Sequence, residues 1–109
     1  MKDFKDKISV VTGGGSGMGR ELVCQLIAAG AHVATCDIFD DNLQETARLA
    51  NPSDGQRLTC HQCDVSDEEQ MNRFRDEVIE RHDTDHINLL FNNAGITGGG
   101  AFVDIDREE

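Results

Sequence analysis

The chain has 109 residues and a formal charge of −11, from 21 acidic side chains against 10 lysines and arginines; it is 38% hydrophobic and 5% aromatic, with a single proline, Pro52. That composition describes a folded chain with room for one core, and its charge opposes nucleic acid and anionic membrane surfaces as partners. Residues 1–7 (MKDFKDK) are charged and the apolar run behind them is short, so no signal peptide is read, no stretch is long enough to span a membrane, and a cytoplasmic protein is expected.

Apolar runs and helical stripes alternate along the chain, the pattern of repeated βα units around a parallel sheet. Residues 8–12 (ISVVT) read as a first strand. Over 17–29, Met18, Leu22, Val23, Leu26 and Ile27 recur at helical spacing, and Gly30 follows as a stop. Residues 31–36 (AHVATC) form a second strand closed by Asp37; Asp40, Asp41 or Asn42 can cap a second helix with the stripe Leu43, Ala47 and Ala50, ended by 51–55 (NPSDG). A third strand is expected over 57–63. Ser66 and Glu69 then form a capping box ahead of a third helix with Met71, Phe74, Val78 and Ile79 inward, and 87–91 (INLLF) is a fourth strand. The third strand is the most polar, as an edge strand is allowed to be. The expected fold is therefore α/β, a Rossmann-like doubly wound parallel sheet in order 3-2-1-4, one domain over 1–109, with its ligand crevice beside the first strand where the order reverses.

Cys24, Cys36, Cys60 and Cys63 include one CxxC, but Cys60 and Cys63 on a strand would point to opposite faces, and no second CxxC completes a zinc site. Reduced, structural cysteines are expected, in keeping with the cytosol. His82, Asp83, Asp85 and His86 carry metal-capable groups but fall where the third helix must end, a place where a protonated histidine suits the helix dipole; no metal is assigned to them.

The stretch 10–20, VVTGGGSGMGR, places glycines between the first strand and the first helix, where a bare backbone and the helix N–H groups can hold a phosphate. The Walker spacing started at Gly14 reaches Gly19, but Arg20 and Glu21 stand where Lys and Ser or Thr are required. Strict GxGxxG fails too, arriving at Met18 or at Arg20. What fits is TGxxxGxG: Thr12, Gly13, Gly17 and Gly19 carry the spacing, with Gly14, Gly15 and Ser16 between them, of which Gly14 and Gly15 are read as permissive.

On this motif the chain resembles the short-chain dehydrogenase/reductase family. Asp37 at the end of the second strand, Asp64-Val65 after the third, and Asn92-Asn93-Ala94-Gly95 after the fourth fall in the family's order, so the resemblance runs along essentially the whole chain. It implies a bound dinucleotide, with Thr12, Gly13, Ser16, Gly17, Met18 and Gly19 around the pyrophosphate. Asp37 would accept from both adenosine ribose hydroxyls and repel a 2′-phosphate, with Ile38 beside it and no Arg or Lys adjacent. NAD is therefore expected over NADP. Asp64 and Val65 would border the adenine, the latter through its backbone, and Asn92, Ala94 and Gly95 the ribose and nicotinamide. No chemistry is assigned to 98–100.

The resemblance further implies an alcohol or carbonyl substrate, a homo-oligomer, and a Ser with a YxxxK pair for hydride transfer. The 109 residues contain no tyrosine. The chain is accordingly read as the cofactor-binding part of such an enzyme, inactive alone, its fourth strand an exposed edge. A non-catalytic module for NAD or an adenine nucleotide is the alternative.

Overall fold

The structure, a computed structural model, describes residues 4–84 and 86–92. Its elements follow in the order β1 (Ile8–Thr12), α1 (Gly17–Ala28), β2 (His32–Asp37), α2 (Asp40–Ala50), β3 (Leu58–Gln62), α3 (Glu68–His82) and β4 (Leu89–Asn92). The four strands form one parallel sheet in the order β3-β2-β1-β4, as the alternation of runs and stripes predicts.

Alternation along the strands divides the core in two. On one face Val11, Val23, Leu26, Ile27, Ala31 and Val33 pack between the sheet and α1, with Leu58, Leu89 and Phe91 adjoining. On the other, Val10, Ala34, Cys36, Cys63, Met71, Phe74, Val78 and Ile87 pack beneath α3. β1 and β2, each with helices over both faces, are buried almost end to end, whereas β3 alternates as an edge strand does. The expected divergence of the two cysteines holds. The Cys60 thiol meets the Leu43 carbonyl on the α2 side, while Cys63 reaches Met71 Sδ at 3.7 Å under α3. All four cysteines are free thiols, and its hydrogen bond to Cys63, followed by burial, holds the Cys36 thiol well above the ordinary range.

Three local expectations are corrected. The third helix is not started by a Ser66–Glu69 box: Asp67 is the N-cap, its carboxylate accepting from the Glu69 and Gln70 N–H groups, and the Ser66 hydroxyl is drawn to Asp64 instead. An ionised cap at the head of the helix gains from the dipole as well as from the hydrogen bonds, which a serine hydroxyl cannot match. On α2 neither Asp40, Asp41 nor Asn42 caps; Phe39 is the N-cap without a side-chain bond, and the two aspartates lie in the first turn, favourable to the dipole. In the α2 stripe it is Thr46 that is fully buried beside Leu43, because its hydroxyl has carbonyl partners there.

His82 is the other departure. It closes α3, and Asp83 turns the chain in the left-handed conformation, as expected for the helix end. Its ring, however, is not a cation displayed to the dipole: it is 4% exposed, and burial first, then the charges of His61, His32, Arg57 and Arg81, push its pKa down to about 4. Its Nε2 lies 2.7 Å from Thr59 Oγ1, which lies 2.8 Å from His61 Nε2, while His61 Nδ1 lies 2.7 Å from Glu77 Oε1. The Glu77 carboxylate can only accept, so His61 donates through Nδ1; its bare Nε2 accepts the Thr59 hydroxyl, whose oxygen accepts from His82 Nε2–H. The chain of donors thus fixes one tautomer for each ring. No metal-capable trio occurs among the described residues, and Asp85 lies outside them.

Candidate functional site

At the carboxyl ends of β1 and β2 the backbone turns into the glycine stretch. The Gly13 and Gly14 N–H groups both donate to the Cys36 carbonyl, at 2.8 and 3.1 Å, so the turn is tied to the end of β2 before α1 begins. Ser16 is the extended N-cap of α1 and makes no side-chain cap bond; no acidic residue stands in the first turn to offset the positive end of the helix. Gly17 has φ +58°, and a Cβ added there would meet nothing within 4 Å. The space over the first turn of α1 is open, with Met18 exposed beside it and Gly19 packed inward. Thr12, at the end of β1, donates across to Asn92 Oδ1 at 3.2 Å, which joins β1 to the start of the Asn-Asn-Ala-Gly stretch. Ala94 and Gly95 lie outside the described residues.

Gly14 and Gly15 are not permissive. A Cβ on Gly14 would lie 1.9 Å from Thr35 Oγ1 and 3.2 Å from Val23 Cγ2; one on Gly15 would lie 2.6 Å from Asp37 Oδ2 and 3.0 Å from Asn42 Cβ. Both are therefore places of close backbone approach. The spacing of a motif does not reveal which of its unspecified positions face a neighbour.

Asp37 closes β2 beside this turn, and its Oδ2 accepts from the Gly15 N–H at 2.9 Å. Oδ1 makes only a long contact, 3.4 Å, to the Phe39 N–H. Ile38 and Phe39 are exposed next to it and, with Asn42 and Gln62, line a shallow groove of about 400 Å³. At the end of β3, Asp64 Oδ1 accepts from the Ser66 hydroxyl at 2.7 Å and its N–H at 3.0 Å, which holds the carboxyl below the usual range. The Val65 side chain, partly buried, packs against the α3-face core.

Arg20, on α1, ties the glycine turn to its surroundings. Its guanidinium donates to the Gly15 carbonyl at 2.6 Å, the Asn42 carbonyl at 3.1 Å and Thr46 Oγ1 at 2.9 Å, and Thr46 donates in turn to the Gly14 carbonyl at 2.7 Å. These bonds join the glycine turn to α2. The signal in the sequence was the arginine standing where a Walker lysine would be. The partners, 22 or more positions away in three of these contacts, could not be read from it.

The arrangement is a glycine turn and an open helix head at the carboxyl edge of a parallel sheet, with one carboxylate at the end of the neighbouring strand: a place for a dinucleotide. A family model for short chain dehydrogenases matches residues 7–109. The chain belongs to the short-chain dehydrogenase family. Epidermal retinol dehydrogenase 2 of Homo sapiens is 33% identical over 107 residues, which are 98% of this chain and 34% of that protein. Among solved structures, a short chain dehydrogenase/reductase from Burkholderia phymatum in complex with NAD superposes with a TM-score of 0.72 at 27% identity, covering 83% of this chain and 31% of that one. A metagenomic short-chain oxidoreductase in complex with NADP does so with a TM-score of 0.75 at 26% identity, covering 87% of this chain and 42% of that one. The short-chain dehydrogenase chain thus spans about a third of the length of the human relative. Its order of strands and glycine turn are those of an oxidoreductase family whose members take either dinucleotide.

Proposed function

We propose that the protein is the dinucleotide-binding part of an NAD(H)-dependent short-chain dehydrogenase/reductase that interconverts an alcohol and a carbonyl by hydride transfer, working in the cytoplasm as a homo-oligomer. The observation that carries the cofactor choice is the Asp37 carboxylate, standing beside the glycine turn with Oδ1 only weakly engaged. A carboxylate there accepts from a ribose diol and repels a 2′-phosphate. Thr12, Gly13, Ser16, Gly17, Met18 and Gly19 would surround the pyrophosphate, Ile38, Asp64 and Val65 the adenine, and Asn92, Ala94 and Gly95 the ribose and nicotinamide. NAD, when bound, supplies the hydride chemistry; the residues of this chain bind and orient it.

Because the 109 residues contain no tyrosine, the chain by itself is expected to bind the dinucleotide without oxidising alcohols. Calorimetric titration with NAD and NADP tests the reading directly: tighter binding of NAD supports it, and equal or reversed affinities count against it. Asp37→Ala should weaken NAD binding at least tenfold and leave NADP weak or improved, a split equivalent to about 1.4 kcal/mol in preference.

A further inference from the structure

We propose that Gly15 and Arg20 are the positioning residues that aim Asp37, and that the choice between a 2′-hydroxyl and a 2′-phosphate in this protein depends on them as well as on the carboxylate. The inference rests on the dinucleotide reading above and deepens it. Asp37 terminates a strand at the rim of the sheet, where a short carboxylate could turn toward solvent or toward the ligand. The Gly15 N–H, 2.9 Å from Oδ2, holds it in one orientation and leaves Oδ1 as the less engaged oxygen. That hydrogen bond exists only because residue 15 has no side chain: a Cβ would stand 2.6 Å from Oδ2 and 2.9 Å from Cγ, so any other residue must drive the carboxylate out of place.

The Gly15 peptide is itself held from its carbonyl side. Arg20 donates to the Gly15 carbonyl at 2.6 Å while the same guanidinium is fixed by Thr46 Oγ1 and the Asn42 carbonyl, so a planar group anchored on α2 sets the plane of the peptide whose N–H meets Asp37. This use of the arginine has a second consequence. Arg20 is the cation nearest in sequence to the glycine turn, and three of its five N–H donors, on Nε and Nη2, are directed to acceptors of the protein, so the guanidinium is committed to orienting the group that repels a 2′-phosphate.

The test measures dissociation constants for NAD and NADP on the purified wild type, Gly15→Ala, Arg20→Gln and Arg20→Lys. Gly15→Ala is expected to lower the preference for NAD over NADP at least tenfold, chiefly by weakening NAD. Arg20→Gln should lower it about threefold to tenfold, with Arg20→Lys recovering part of the loss. If Gly15→Ala does not fold, the Arg20 pair decides. A wild type that binds neither nucleotide, or prefers NADP, overturns the dinucleotide reading and this inference with it. A wild type that prefers NAD, beside variants that keep its ratio, overturns this inference alone. So does an Arg20→Gln variant that loses NADP more than NAD, because that outcome makes the arginine a phosphate ligand.

Discussion

The two faces of the sheet hold their buried polar groups by different means. On the α1/α2 side, Arg20 and Thr46 bind the carbonyls of Gly14, Gly15 and Asn42. On the α3 side, Glu77, His61, Thr59 and His82 bind one another in a single file of side chains. Both networks bury a threonine at their centre, Thr46 in one and Thr59 in the other. The first is built from a guanidinium, a hydroxyl and backbone carbonyls, with no imidazole in it. The second contains two imidazoles kept neutral by burial, His82 to about 4 and His61 also below its usual range despite the Glu77 carboxylate beside it. The difference teaches where histidine protonation can act on this fold: on the file of side chains at the β3 edge and not on the bonds of Arg20 and Thr46.

The comparison is broken most severely at Gly14. Gly14→Ala places a methyl group 1.9 Å from Thr35 Oγ1, whose hydroxyl donates to the Val11 carbonyl inside the sheet, and nothing flexible lies in the way to yield. A loss of about 3 kcal/mol is expected in urea denaturation, at the upper end of the cost of overpacking. A cost below about 0.5 kcal/mol would show that the turn can shift, and with it that the site is less rigid than its hydrogen bonds imply.

Acid should separate the two faces next. For a histidine whose folded pKa lies below its unfolded value near 6.5, the unfolded state binds more protons as pH falls. The stability gained from keeping His82 and His61 neutral is therefore present above about pH 6.5, declines below it, and for His82 is lost through pH 4. Unfolding free energies measured from pH 7.5 to 4.5 should fall by about 2 kcal/mol, and His82→Gln should show a shallower fall over the same interval. Parallel curves for the two proteins would mean that His82 gains no proton on unfolding.

The mildest change sharpens the same contrast from the other side. Thr46→Val keeps the shape of the buried side chain but removes the donor to the Gly14 carbonyl and the acceptor of Arg20 Nε, at an expected cost of about 1 to 2 kcal/mol. Because no imidazole takes part in these bonds, that cost should be the same at pH 5 and pH 7.5. A cost that changes with pH would link the two networks across the sheet.

Much of this molecule was legible from its residues. The alternation of 8–12, 31–36, 57–63 and 87–91 with three helical stripes anticipated every strand and helix among the described residues and the order of the sheet, with ends moved by one or two positions. Strand burial depends on hydrophobic pattern, and pattern is local information. Capping was less legible: Ser66 and Asp67 are adjacent candidates, and which one turns inward depends on Asp64 competing for the serine hydroxyl. The carboxylate at the end of β2 and the glycine spacing were found from the sequence because they follow a recurring order along the chain.

What the sequence determined by itself, then, is the element order, the parallel sheet and the location of the glycine turn against the carboxyl ends of the strands, all consequences of periodicity and turn chemistry. What only the tertiary structure decided is which polar groups meet. Gly15 and Asp37 are 22 positions apart, Arg20 and Thr46 are 26, and Thr59 and His82 are 23. Each pair forms because parallel crossovers return the chain to the same edge of the sheet after one βα unit, and a buried donor brought there must find an acceptor. Hence Gly14 and Gly15, interchangeable in the motif with any residue, are the positions at which the fold has no room for a side chain.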